Sequence, residues 1–198
     1  MPSSTPLLFF AGSSRDGSFN KKLARLAAVI AKDNGIPATF ADLADYPMPI
    51  YDGDLEESKG PPDNARKLKA LMEAHSGVFI ASPEYNAGVS PLLKNALDWI
   101  SRVREGDEPP LQVYKTRVFM LAAASPGGFG GVRGLMMLRQ VLANGLGAIV
   151  LPDQILVARA HEAFDGDGRL KSEKQTEQLE ALVLELVRAA KILRGETE

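Results

Sequence analysis

The chain alternates short unbroken apolar runs with longer stretches whose apolar residues recur at helical spacing. Leu7-Leu8-Phe9-Phe10-Ala11 is a continuous apolar run stopped by Gly12, the pattern of a strand buried on both faces. Phe19, Leu23, Leu26, Ala27 and Ile30 then fall on one stripe, and Asn34-Gly35 closes that helix because both residues tolerate left-handed backbone. Ala38 to Leu43 reads as a second strand, less apolar and so nearer a sheet edge. Pro47 to Pro62 reads as a proline-bearing loop, and Asp63 to His75 as a helix striped by Leu68, Leu71 and Met72. Gly77 to Ala81 predicts the third strand, and Pro91 to Val103 a helix with proline in its first turn, where a missing N–H does no harm. Glu105 to Lys115 is a polar loop, Arg117 to Ala124 the fourth strand, Gly131 to Ala143 a helix and Ala148 to Leu151 the fifth strand. The last helix carries Leu179, Leu182, Val183, Leu186, Val187, Ala190 and Leu193 on one face. Such alternation predicts an α/β fold: a parallel sheet with helices on both faces. Ligands of these sheets sit beyond the carboxyl ends of the strands, where strand order reverses. The loops after strands one, three and four are therefore the places to look.

Composition narrows the chemistry. A length of 198 residues fits one domain with a substantial core, and the chain is read as a single unit over residues 1–198. A net charge of −2 offers no basic field to nucleic acid or to an anionic membrane. The chain has no cysteine, which excludes disulfides, thiolate metal sites and thiol nucleophiles. Any redox chemistry must then come from a cofactor. No apolar run approaches the roughly 20 residues of a membrane span, and Met1 to Pro6 lacks a basic, apolar leader, so a cytoplasmic location is expected. His75, on the Leu68–Met72 stripe, reads as a partly buried structural residue, and His161, beside Arg159 and Glu162, as a surface one. Two distant histidines make no metal site. Asp165-Gly166-Asp167-Gly168 opens like a calcium loop, but Arg169 stands where an acidic residue or Asn is needed, so a turn is expected.

The first of the three loops runs from Gly12 to Asn20 and enters a helix. The first N–H groups of a helix lack internal partners and the helix dipole favours negative charge there. Ser13, Ser18 and Asn20 supply further donors and Arg15 a charge, a set suited to a phosphate. The spacing matches neither the dinucleotide fingerprint nor the nucleoside-triphosphate loop. The plainer reading is that Ser18 merely caps the helix. The second loop, Ser82 to Pro91, is stiffened by two prolines, and its Tyr85 offers an aromatic wall to a planar ligand. The third, Ala124 to Gly134, is rich in glycine, which lets backbone approach a ligand closely.

Gly-Ser-Ser-Arg-x-x-Ser-x-Asn after strand one, Pro83-Glu84-Tyr85-Asn86 running on through Pro91-Leu92-Leu93-Lys94-Asn95-Ala96-Leu97-Asp98-Trp99, and Ser125-Pro126-Gly127-Gly128 resemble the NADPH-dependent FMN reductase family. The stretch Ala163 to Leu170 is similar to that family as well, and the likeness covers nearly the whole chain. The resemblance implies a flavodoxin-like doubly wound five-stranded parallel sheet of order 2-1-3-4-5. It implies FMN as cofactor and NADPH or NADH as electron donor. Ser13, Arg15, Ser18 and Asn20 would bind the FMN phosphate; Pro83, Glu84, Tyr85, Asn86 and Gly88 would line the isoalloxazine ring; Ser125, Gly127 and Gly128 would close its other side. Nothing in the resemblance corresponds to Asp107 to Lys115.

The activity implied is an NAD(P)H-dependent FMN-containing oxidoreductase. Hydride would pass from nicotinamide to flavin, and electrons then to a small acceptor such as a quinone, an azo compound or chromate, in a ping-pong cycle. Donors from the Asn86 and Gly128 regions would stabilise the charge of the reduced ring. No side chain needs to act as acid or base, so no catalytic residue is assigned, and Glu84 is read as part of the rigid loop. The alternatives are a flavodoxin-type electron carrier without its own hydride transfer, and an interaction module that kept the fold and lost the ligand. Trp99 shares a helix face with Leu92, Ala96 and Val103, either as core or as a subunit contact. The stripe widens through Leu93, Leu97 and Ile100, more than one sheet face usually needs, which predicts a homodimer or homotetramer.

Overall fold

The computed structural model describes residues 5–196. Five parallel strands form the sheet: β1 (Leu7–Ala11), β2 (Ala38–Ala41), β3 (Gly77–Ala81), β6 (Val118–Ala124) and β7 (Ile149–Val157), in the order β2-β1-β3-β6-β7. Counted among sheet strands alone this is 2-1-3-4-5, so the flavodoxin-like order expected is the one found. The order reverses at β1, whose neighbours are β2 and β3, and this places the ends of β1 and β3 side by side. β1, β3 and β6 are buried throughout, while β2 and β7 form the half-exposed edges.

Alternate side chains of each strand enter opposite cores. Leu7, Phe9, Phe79 and Met120 pack under α1 (Phe19–Asp33) and α8 (Glu173–Leu193). Leu8, Phe10, Ile80 and Leu121 pack under α3 (Asp63–Glu73), α4 (Pro91–Arg102) and α6 (Val132–Gln140). At the end of α1, Gly35 adopts φ +71° and the Asn34 side chain donates to the Ile30 carbonyl.

The chain departs from its sequence reading in several places. The Pro47–Pro62 segment holds a helix, α2 (Gly53–Lys59), with no buried residue and hence no stripe to reveal it. The polar 105–115 segment ends in α5 (Gln112–Lys115) and precedes β6, so it lies at the amino edge of the sheet, away from the three loops. The second strand stops at Ala41, where Asp42 caps the 3-10 turn Leu43–Asp45. The fifth strand runs to Val157, twice as far as expected, through Pro152 on an edge where its register against β6 shifts. The helix over 131–143 changes to a π turn at Val141–Gly145. The second loop contains a hairpin, β4 (Glu84–Tyr85) with β5 (Gly88–Val89), and a short helix, α7 (Ala160–Ala163), follows β7.

His75 is buried; its Nδ1 donates to the Leu71 carbonyl at 2.6 Å and its Nε2 lies 2.8 Å from Thr39 Oγ1. His161 is exposed beside Glu162. Asp165 starts a turn whose Oδ1 accepts from the Asp167 and Arg169 N–H groups. Trp99 is fully buried: its Nε1 donates to the Pro49 carbonyl at 2.7 Å, and Tyr51 meets its ring edge-on. Leu93, Leu97 and Ile100 are likewise buried within the chain, so the broad stripe of α4 is satisfied by the sheet and by the segment leading into α2.

Candidate functional site

Three loops leave the carboxyl ends of β1, β3 and β6, and hydrogen bonds tie each to the next. The Gly12 N–H donates to the Ala81 carbonyl, and the Ser90 hydroxyl donates to the Gly12 carbonyl at 2.6 Å. A Cβ at Gly12 would stand 2.9 Å from Leu93 Cβ, so α4 seats this close to the first loop only against glycine. Asn20 is buried in the first turn of α1; its Nδ2 donates to the Ala124 carbonyl at 2.8 Å and its Oδ1 accepts from the Ala124 N–H at 2.9 Å. This pair of bonds fixes the end of β6 against the start of α1.

Glu84 is the third brace. Its Oε2 accepts from the Gly134 N–H at 3.0 Å, in the first turn of α6, and its Oε1 accepts from Arg133 Nε at 2.9 Å and from Arg133 Nη2. Burial pushes the carboxyl up, but the Gly134 N–H and the Arg133 guanidinium outweigh it and leave the pKa below its ordinary 4.5. A carboxylate held ionised with both oxygens engaged fastens the hairpin to α6 and offers no proton. Gly134 makes the fit possible, since a Cβ there would stand 3.0 Å from Glu84 Cβ and 3.2 Å from the Gly88 carbonyl oxygen.

At the head of α1, Ser18 takes the cap position and its Oγ accepts from the Lys21 N–H at 3.4 Å. The Phe19 and Asn20 N–H groups precede the first acceptor inside the helix. The Ser13 and Ser18 side chains are buried, and Ser13 Oγ accepts from the Arg15 N–H at 3.4 Å. The Arg15 guanidinium is exposed and forms no ion pair among the described residues. Of the residues singled out in the sequence, Ser13, Arg15, Ser18, Asn20, Pro83, Glu84, Tyr85 and Ser125 line one cavity of about 110 Å³. Asn86 stands in the hairpin turn and Gly88 begins β5, and Gly127 and Gly128 are exposed on the third loop; these four lie outside the wall. Phe19, Ala124 and Pro126 complete the wall and were not foreseen. Pro126 lies within the third-loop motif, whereas Phe19 and Ala124 look in sequence like ordinary core positions.

The cavity suits an anion. It gathers a helix N-terminus, three serine hydroxyls and, among the described residues, an unpaired guanidinium, and its one carboxylate is committed to Arg133 and Gly134. Its volume falls below the roughly 300–1,000 Å³ of a full small-molecule pocket. A cavity of that size has room for one end of such a molecule, and the hairpin lies beside it. There the surface is aromatic and open: Tyr85 is 52% exposed and Phe129 73% exposed, with the Arg133 guanidinium 5.6 Å from the Phe129 ring centre.

The chain that builds this site on a sheet of this order has matches among known proteins. The sequence profile of the NADPH-dependent FMN reductase family fits residues 5–162. The chain belongs to that family. As a member of the NADPH-dependent FMN reductase family it is an NAD(P)H-dependent flavin oxidoreductase. It is 34% identical over 191 residues to the NAD(P)H:quinone oxidoreductase of Solanum tuberosum, covering 94% of this chain and 93% of that one. It is 31% identical over 182 residues to the NAD(P)H-dependent FMN reductase of Pseudomonas aeruginosa, covering 90% and 93%. The solved structure of the flavoenzyme NAD(P)H:(acceptor) oxidoreductase FerB from Paracoccus denitrificans superposes with a TM-score of 0.75 at 25% identity, over 95% of this chain and 98% of that one.

The donor set fits FMN, the family's cofactor, at its phosphate: the wall carries the Ser13, Ser18 and Ser125 hydroxyls, each able to donate, and the Arg15 guanidinium, and its one carboxylate is already engaged. Among the described residues no group of three or more metal-ligating side chains is present. No described helix is long and apolar enough to cross a membrane.

Proposed function

We propose that Ser13, Arg15, Ser18 and the head of α1 hold the FMN phosphate, that Pro83, Glu84, Tyr85, Asn86 and Gly88 carry its ring, and that Ser125, Gly127 and Gly128 close the site from the third loop. The observation that supports this most is the unpaired Arg15 beside a helix head and two buried hydroxyls. Asn20 contributes from the same wall by holding Ala124, and its second amide hydrogen would be free to meet the phosphate. Held there, FMN would supply the redox chemistry, hydride acceptance from NADPH or NADH and electron transfer to a small acceptor such as a quinone, an azo compound or chromate. The protein's part is placement. The phosphate cavity fixes one end of the flavin, the Glu84 brace keeps the hairpin at a set height, and the exposed rim admits donor and acceptor in turn. One open face used twice gives a ping-pong cycle, which steady-state kinetics would display as parallel double-reciprocal lines.

The reading extends to the whole chain acting as one unit over residues 1–198, in the cytoplasm, as a homodimer or homotetramer. Support for a second copy comes from Ile50, 85% exposed beside the partly exposed Tyr51, near the start of α4. Light scattering at micromolar concentration tests it, and a monomer mass would overturn it. The central experiment is titration of apoprotein with FMN, then anaerobic addition of NADPH. Saturable binding followed by bleaching of the yellow colour is expected. Binding without bleaching would favour a flavodoxin-type carrier, and absence of binding would end the cofactor assignment.

A further inference from the structure

A lysine lies beneath the phosphate-facing turn. Lys21 is in the first turn and a half of α1, and its side chain is 3% exposed. Its Nζ donates to the Ser14 carbonyl at 3.0 Å and stands 2.8 Å from Asp42 Oδ2. Asp42 is itself fixed, because its Oδ1 accepts from the Ala44 N–H at 3.0 Å and caps the 3-10 turn after β2. Arg25, on the next turn of α1, approaches the same Oδ2 at 3.4 Å. The ammonium thus joins the edge of the sheet to the main chain of an exposed turn.

Burying a lysine is costly unless its charge is paired and its hydrogens are placed. Helix packing alone would accept a neutral residue here. What the ammonium adds is a fixed orientation for the Ser14–Arg15 peptide. Its carbonyl is held by Lys21 and its N–H faces Ser13 Oγ, so the peptide plane is held from both sides. That plane sets where the Arg15 side chain starts and which way the N–H groups of the turn face.

We propose that Lys21, held by Asp42, is a positioning residue that shapes the Ser14–Arg15 turn before flavin arrives and gives the site its preference for phosphorylated over unphosphorylated flavin. The inference rests on the FMN assignment above. It predicts a selective effect: the strut acts on the groups that meet phosphate and leaves the hairpin that carries the ring untouched. A lysine serving only fold stability would alter affinity for both flavins alike.

The test titrates folded apoprotein with FMN and with riboflavin and compares the ratio of affinities. Lys21→Met keeps most of the stem and removes the ammonium. It should weaken FMN about tenfold, the worth of one charge-assisted contact network, and change riboflavin by less than about twofold. Asp42→Asn keeps the cap on Ala44 and frees the ammonium, so it should lower the same ratio by about threefold. It carries the test if Lys21→Met does not fold. A ratio equal to that of the wild type in the folded variants, or an equal loss for both flavins, overturns the positioning role. Wild-type protein that binds FMN no more tightly than riboflavin overturns the FMN assignment instead, so the two failures are told apart.

Discussion

The two ends of the proposed flavin site are built by opposite means. At the phosphate end, buried polar side chains grip the main chain of their neighbours: Asn20 holds Ala124, Ser90 holds Gly12 and Lys21 holds Ser14. At the ring end, the hairpin turns through two non-glycine residues in left-handed backbone, Asn86 at φ 51° and Ala87 at φ 63°, and its aromatic side chain faces outward. Holding and reacting are thereby assigned to separate parts. The anchoring group never changes through a catalytic cycle, so a rigid cradle suits it. The ring must meet a nicotinamide and then an acceptor of different shape, which an open rim allows.

Mutations at each end should separate these roles. The largest effect is expected from Arg15→Ala combined with Ser18→Ala, which should weaken FMN about 100-fold, roughly 3 kcal/mol for lost charge-assisted and cap contacts. Fluorescence titration reads it, and unchanged affinity would remove the basis for calling this end an anchor. Asn20→Ala strands the buried Ala124 N–H and carbonyl, at about 2 kcal/mol. Thermal melts should shift down by about 6 °C for a chain of this size. No shift would mean that the first and third loops are held together by something else.

Glu84→Gln acts on the hairpin and should cost about 1 kcal/mol, discounted because Arg133 is more than half exposed. Its sign with pH is fixed. The Glu84 pKa lies below the ordinary 4.5, so ionisation stabilises the fold in full above that value and the gain is lost as pH falls through the folded-state pKa. Wild-type protein should therefore lose more stability than the variant in acid below about pH 4.5, and parallel melting curves would contradict this. Ala87→Gly is the smallest change and runs the other way. Glycine relieves the left-handed penalty while adding freedom to the unfolded chain, for a net gain of about 0.5 kcal/mol. A loss of stability would mean that the turn is not strained.

Much of this was legible in the sequence, and the exceptions share a cause. β1 and β3 were bounded to the residue because three-dimensional burial on both faces leaves an uninterrupted apolar run. β7 was cut short at Leu151 because Pro152-Asp153-Gln154 reads as loop and only pairing with β6 makes it strand. The hairpin was invisible because its turn carries Asn-Ala in place of Asn-Gly. The loop residues of the site were found by type and position. Their braces were not, since Asn20 and Ala124, or Glu84 and Gly134, lie far apart in the chain and a single sequence does not say which pairs meet. Lys21 in particular reads as one more polar residue on a helix until its burial is seen.

Trp99 is the one tryptophan of the chain, sealed under Pro49 and Tyr51. Its emission is consequently a single-channel reporter of whether the stretch ahead of α2 is seated or lifted. A shift to longer wavelength would register that local opening optically, in a spectral window separate from the visible absorbance of a flavin.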